Sequence, residues 1–258
     1  DPQLWRTMRL VSTYYHQLLS WAAYVDKFTV VLVSKIRYNT LPGSAKGDKR
    51  TWELDGKLHR EHDLPAVVSS FGVREWHRYG RPYREHGRPA VISANGVCDW
   101  YQHGLLHRDH DRPASIDHYG TRKWYLHGKK HRDHDRPAWL CRSGRYEWYQ
   151  HGLLHRDHDR PSAITMHGTR RWYRHGLQHR DHDRPACVAF NTYNTNEWWR
   201  NGKQHRDNGR PNIIVGNGTC QWVRRYRLHR SHDRPACITL TGACNWWQHG
   251  GRVEPTHS

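Results

Sequence analysis

The sequence predicts a mainly β protein: an elongated single-layer antiparallel β-meander of about nine 24-residue hairpin repeats, with a small helical N-terminal cap. Three observations predict it. Tryptophan recurs at Trp52, Trp76, Trp100, Trp124, Trp148, Trp172, Trp198, Trp222 and Trp246, with seven intervals of 24 residues and one of 26. Three residues after most of these comes a turn dipeptide: Asp55-Gly56, His103-Gly104, His127-Gly128, Asn201-Gly202 and their equivalents. Asp-Gly and Asn-Gly suit two-residue hairpins because both central residues need positive φ, and the His-Gly copies mark the same turn. Apolar residues make up only 35% of the chain, with 14 Trp and 14 Tyr among them, so aromatic ladders must replace a broad aliphatic core.

Residues 1–38 read as the cap. Leu4, Met8, Val11, Tyr15, Leu18, Ala22 and Val25 follow helical spacing, and the β-branched run Phe28 to Ile36 reads as a strand. Such a cap would cover the first open edge of the array. Residues 39–49, with Pro42, Gly43 and Gly47, form a linker. The array occupies 50–251 and a tail 252–258. A second glycine precedes most of the following Trp residues by four (Gly72, Gly96, Gly120, Gly144, Gly168, Gly218, Gly242), so two turns imply two strands per repeat. At ~4.8 Å per strand, nine repeats span roughly 85 Å. Strand alternation puts each Trp and the following Tyr or Trp on opposite faces, giving two aromatic ladders, the second either exposed for contact or covered by Arg and His stems.

A block of the form His-Arg-Asp-His-Asp-Arg-Pro-Ala recurs eight times, around Pro65, Pro89, Pro113, Pro137, Pro161, Pro185, Pro211 and Pro235. His131, His134 and Asp135 have the donor chemistry of a Zn²⁺ or Cu²⁺ site, but their repetition would demand a row of identical sites on extended chain. The kinase-like His-Arg-Asp lacks its following Asn and any phosphate loop, and the His-Asp pairs have no distinct nucleophile. No enzyme, cofactor or metal site is therefore expected. Two arginines and two acids per block predict a self-neutralising corner in which each rung carries its own counter-ions, with Pro marking the bend.

The formal charge of +18 and pI near 10.0 suit acidic partners: nucleic acid, an anionic membrane surface or an acidic protein. With the block neutral, that charge resides in residues at hairpin tips or on the Trp strand. The candidate partner contacts are Arg122, Lys123, Lys129, Lys130, Arg170, Arg171, Arg174, Arg200, Lys203, Arg224 and Arg225, as a basic flank. Basic residues among aromatics can bind single-stranded nucleic acid, but the Trp register reads as architecture, which favours docking on protein. The six cysteines show no CxxC spacing and read as reduced; Cys237 and Cys244, flanking one turn, are the one pair placed for a disulfide. With no secretory signal and no apolar run longer than Phe28 to Val33, the chain reads as intracellular, without a transmembrane segment.

The pattern Trp-Tyr-x-x-Gly-x-x-His-Arg, followed four residues later by Pro-Ala, resembles the variant MORN repeats abundant in large nucleocytoplasmic DNA viruses, particularly the marseillevirus group. The resemblance covers about four-fifths of the chain. The usual Gly-Pro-Ala is replaced by Asp135-Arg136-Pro137 and its equivalents, while Gly209-Arg210-Pro211 keeps the glycine. Tyr226 replaces a turn glycine, and the 172 to 198 interval carries a two-residue insertion; both are places to expect a bulge, bend or partner contact. The run Leu4-Trp5-Arg6-Thr7-Met8-Arg9-Leu10-Val11-Ser12-Thr13-Tyr14-Tyr15-His16-Gln17-Leu18-Leu19 resembles the C-terminal half of an F-box, whose first helix would lie before Asp1. These resemblances imply a non-catalytic scaffold, a virion or minor capsid component found in the virion and host cytoplasm, that binds other virion proteins. An adaptor recruiting host ubiquitin machinery is the alternative. Binding of nucleic acid or anionic lipid through the basic flank is the third reading.

Overall fold

The computed structural model describes residues 49–190, 194–231 and 234–254. The expected helical cap, with its F-box-like run, lies outside the described residues. Those residues form 34 short strands and no helix. Eighteen of the strands make one long antiparallel sheet that runs from Lys49–Thr51 to Gly251–Val253, each pairing with the next sheet strand along the chain. The predicted meander is present.

Each repeat is richer than two strands and two turns. In the fourth unit, Arg122–Lys123 pairs with Ser115–Ile116 on one side and Trp139–Leu140 on the other, within the long sheet. Past Trp124 the same chain enters a separate two-stranded hairpin, Tyr125–Leu126 against Lys129–Lys130. Trp124 is the junction. Its N–H donates to the Ala138 carbonyl at 2.8 Å, in register with the sheet, while its own carbonyl accepts the His131 N–H at 3.2 Å, in register with the hairpin. Four strands per repeat result, in two ladders that share only the tryptophan.

Three tight turns close the unit. His127 (φ 47°) and Gly128 (φ 79°) make the predicted hairpin turn, and Gly144 (φ 89°) closes the turn between sheet strands. The third lies inside the block: His134 (φ 60°) and Asp135 (φ 55°) are both left-handed, and the Arg136 N–H reaches back to the Asp133 carbonyl at 3.4 Å. Successive hairpins are joined more sparsely than sheet strands, chiefly through turn N–H groups, such as Gly152 to the Lys130 carbonyl at 2.8 Å.

The core is a column of thin layers. Trp76, Trp100, Trp124, Trp148, Trp172 and Trp198 are buried, and the alanine after each Pro is sealed, as in Ala114 and Ala138. Polar residues take that position twice, and each is satisfied. Ser162 accepts the Tyr173 N–H at 2.7 Å, and Asn212 bridges the Val223 N–H and carbonyl at 2.8 and 2.7 Å. The second aromatic ladder, Tyr101, Tyr125, Tyr149 and Tyr173, is half-buried, with the Tyr149 hydroxyl donating to Glu147 at 2.7 Å. All six cysteines are free. Cys237 faces Asn245 and Cys244 faces Ile238, so the pair flanking the turn occupies alternate positions on opposite sides of the sheet.

Candidate functional site

The recurring block is built as a brace between repeats. The His131 Nδ1 accepts the His151 N–H at 3.2 Å from the next hairpin turn, which leaves the ring proton on Nε2, 3.0 Å from Asp133. The same pair of bonds recurs at His59, His107, His155 and His179, and in most copies the ring also stacks on the next turn residue, as for His155 and His175 at 4.5 Å. With both ring nitrogens engaged, these histidines are committed to architecture. Among the described residues, no three His, Cys, Asp or Glu side chains gather as metal ligands would.

The next residue, Arg132, lies flat over its own Trp124 at 3.7 Å, and its Nη1 donates to the Pro137 carbonyl at 3.2 Å. The arrangement repeats from Arg60 over Trp52 to Arg230 over Trp222, with the carbonyls of Pro65 to Pro235 as acceptors. From Trp76 to Trp222 each repeat Trp in turn donates its indole N–H to the block turn of the preceding repeat, Trp124 to the Asp111 carbonyl at 3.0 Å. The Trp ladder is thus covered by guanidinium groups.

The counter-ions correct the picture of a corner neutral within itself. Asp111 takes Arg132 of the next repeat in a two-point grip, Nε at 2.7 Å and Nη2 at 2.9 Å, and also holds Arg136 of that repeat. The left-handed turn is what aims the carboxylate forward. Asp63, Asp135, Asp159 and Asp183 grip Arg84, Arg156, Arg180 and Arg206 in the same way. Hydrogen bonds from these arginines hold all five carboxyls below their ordinary range, Asp63 down to about 2.

Among the described residues, two junctions break the ladder. Where Asp is expected, the second and seventh blocks have Gly87 (φ 64°) and Gly209 (φ 64°). Arg108 still stacks on Trp100 at 3.9 Å, but its Nη2 reaches only the Gly87 carbonyl at 3.5 Å, and its buried Nε has no partner. The Arg230 Nη2 likewise reaches the Gly209 carbonyl at 3.5 Å, while its Nη1 keeps the Pro235 carbonyl at 3.2 Å. The sequence marks both places with a glycine, but only the structure links that glycine to an arginine 21 residues onward.

The eleven basic candidates fall at three places. Arg122 and Arg170 project from one side of the long sheet, Lys123 and Arg171 from the other, and Lys129, Lys130, Arg174, Arg200, Lys203, Arg224 and Arg225 belong to hairpins or their tips. They are not equally free. The Lys130 ammonium sits over Trp139 at 4.4 Å and Tyr149 at 4.7 Å, where burial pushes its pKa down, and Arg174 and Arg200 face Asp181 and Asp207 at 3.3 Å.

Beside Arg122 and Arg170 the turn edge of the sheet carries large apolar side chains, with polar turns such as Asn95-Gly96 and Ser143-Gly144 between some of them. Phe71, Tyr119, Met166, Phe190 and Leu240 lie between 49% and 71% exposed, all at turns of the same class or leading into them. Arg170 stands 5.5 Å from the Phe190 ring. Sequence reasoning missed this row because its members shift by one position between repeats. Among the described residues no helix is long and apolar enough to cross a membrane. Comparison of the chain with protein-family models, curated proteins and solved structures gave no match.

Proposed function

We propose that the chain is a non-catalytic scaffold that docks other proteins along the turn edge of its long sheet, as a variant MORN-repeat component of a large DNA virus particle. The observation that carries the docking reading is the recurrence of large exposed apolar side chains at one edge, Phe71, Tyr119, Met166, Phe190 and Leu240, next to exposed Arg74, Arg122 and Arg170. A solvated rim has no need of so many large apolar side chains, and exposed apolar patches mark contact sites. The groups that invite catalytic readings support the same conclusion, since block histidines and arginines are spent on bracing neighbours. The viral setting rests on the repeat resemblance alone.

Crosslinking in the native setting, followed by mass spectrometry, tests this reading. Coat or other particle proteins linked near the turn edge are the expected neighbours. Ubiquitin-ligase subunits would replace the scaffold reading by an adaptor, and nucleic acid bound with a steep salt slope would replace it by nucleic-acid binding. Phe71→Ser, Tyr119→Ser and Met166→Ser combined should abolish the links while leaving the fold intact.

A further inference from the structure

Five junctions of the array show how two arginines at this spacing share one carboxylate. At each of these, one carboxylate accepts Nε and Nη2 of a Trp-stacked arginine and the Nη1 of a second arginine four residues on, as Asp111 does for Arg132 and Arg136. At the junction after Gly87 the two arginines are present and the carboxylate is missing. Arg108 keeps its stacking on Trp100 and its bond to the Pro113 carbonyl at 3.4 Å, so the guanidinium is oriented before anything binds. Its buried Nε is unpaired, and Arg112 has no carboxylate partner among the described residues. Removing the aspartate also leaves room. The cleft over Gly87 measures about 500 Å³, against about 290, 320 and 260 Å³ at three junctions where the aspartate is in place.

We propose that the cleft formed by Gly87, Arg108 and Arg112 is a binding site for a carboxylate supplied from outside the chain, and that Gly209, Arg230 and Arg234 form a second copy. The two-oxygen geometry of the filled junctions sets the ligand class, because a planar carboxylate matches both the fork of one guanidinium and the tip of the other. Desolvation and the neighbouring Arg112 already press against the charge on Arg108, and an anion relieves both. Two acids line the cleft, and neither competes for the fork: Glu85 is 3.6 Å from Arg78, and Asp109 is 2.9 Å from the His107 Nε2. The second copy shows the same substitution, the same stack of Arg230 on Trp222 at 3.8 Å and the same distant backbone acceptor. The source of the carboxylate is either a small free acid or an aspartate or glutamate side chain of another protein. The site is separate from the apolar turn edge and stands whether or not that edge docks a partner.

The test is a titration of the whole chain, with arginine selectively labelled with ¹⁵N, followed through the Nε–Hε resonances. Malonate, the peptide Gly-Asp-Gly and inorganic phosphate are the probes, and Arg108→Lys identifies the resonance. Gly87→Asp supplies the missing carboxylate from within. Its Cβ meets nothing within 4 Å, and Asp63, Asp111, Asp135, Asp159 and Asp183 occupy the equivalent turn at φ between 51° and 55°. The expected result is a saturable shift of the Arg108 signal with malonate or the peptide, weakened at least ~10-fold in Gly87→Asp, as loss of a charge-assisted pair implies. Gly87→Asp alone should already place that signal among those of Arg132 and Arg156. With the peptide N-acetylated and C-terminally amidated so that the Asp side chain is its one carboxylate, malonate without peptide identifies a small acid as the source, and peptide without malonate a protein side chain. No saturable shift, a shift unchanged in Gly87→Asp, or binding of phosphate but neither carboxylate would overturn the assignment.

Discussion

Replacing Asp135 by Asn removes the anion shared by Arg156 and Arg160 and leaves Arg156, mostly buried against Trp148, without its partner. The carboxylate is about one-third exposed, so solvent screens part of the loss; a cost of about 1–2 kcal/mol is expected, read as a fall in the urea midpoint. The same groups set the acid limit. Their pKa values are lower in the fold than in the unfolded chain, so their stabilisation is complete above the ordinary carboxylate range. It drains away as pH falls through that range toward about 2, the value for Asp63. Urea midpoints measured between pH 5 and pH 2.5 should trace this decline. His229 adds a separate step. Its acid is replaced by Ser231, and burial, His249 and Arg224 lower its pKa. A histidine depressed in the fold stabilises fully above the ordinary imidazole range and loses that contribution as pH drops below it. Ser231→Asp should therefore reduce the loss of stability between pH 7 and pH 5, with the chemical shift of the His229 ring as the direct readout.

Among the elements, the turn at Arg225 and Tyr226 is the most strained of the hairpins. Both residues are left-handed, at φ 50° and 64°, where other copies place glycine second, yet Arg224 still pairs with Arg227. The bend or bulge expected at this glycine-free turn is absent from its strand pairing. Tyr226→Gly should stabilise the chain by about 1 kcal/mol, because a β-carbon in this region costs that much and the ring is largely exposed. An equal or lower Tm would mean that the 6.2 Å contact of Tyr226 with Trp199 outweighs the backbone strain. The opposite sensitivity belongs to the sealed alanines: Ala114→Val should cost about 1–3 kcal/mol by overpacking, measured by thermal unfolding. These elements also show what could be read in advance. Trp period and His-Gly turns are local signals and were legible. The block turn was hidden because His134 and Asp135 both adopt positive φ without glycine; Gly87 and Gly209 were its faint sign. The forward reach from Asp111 to Arg132 spans 21 residues and follows from stacking, which no single block displays. The insertion between Trp172 and Trp198 falls partly on residues 191–193, outside those described.

For the whole molecule, every repeat is held by its two neighbours, so stability should grow with the number of repeats instead of belonging to one central core. Deleting the last two units should lower the denaturant m-value roughly in proportion to the surface lost, and hydrogen exchange should be slowest in the middle of the sheet. The strands of that sheet run across its length, and the hydrogen bonds between them run along it. Tension applied between the two ends therefore loads those bonds along their own direction and in series, so the array should part like a zipper, one unit at a time. Each release frees 24 residues, or about 80 Å of extended chain, in a sawtooth of nearly equal low-force peaks.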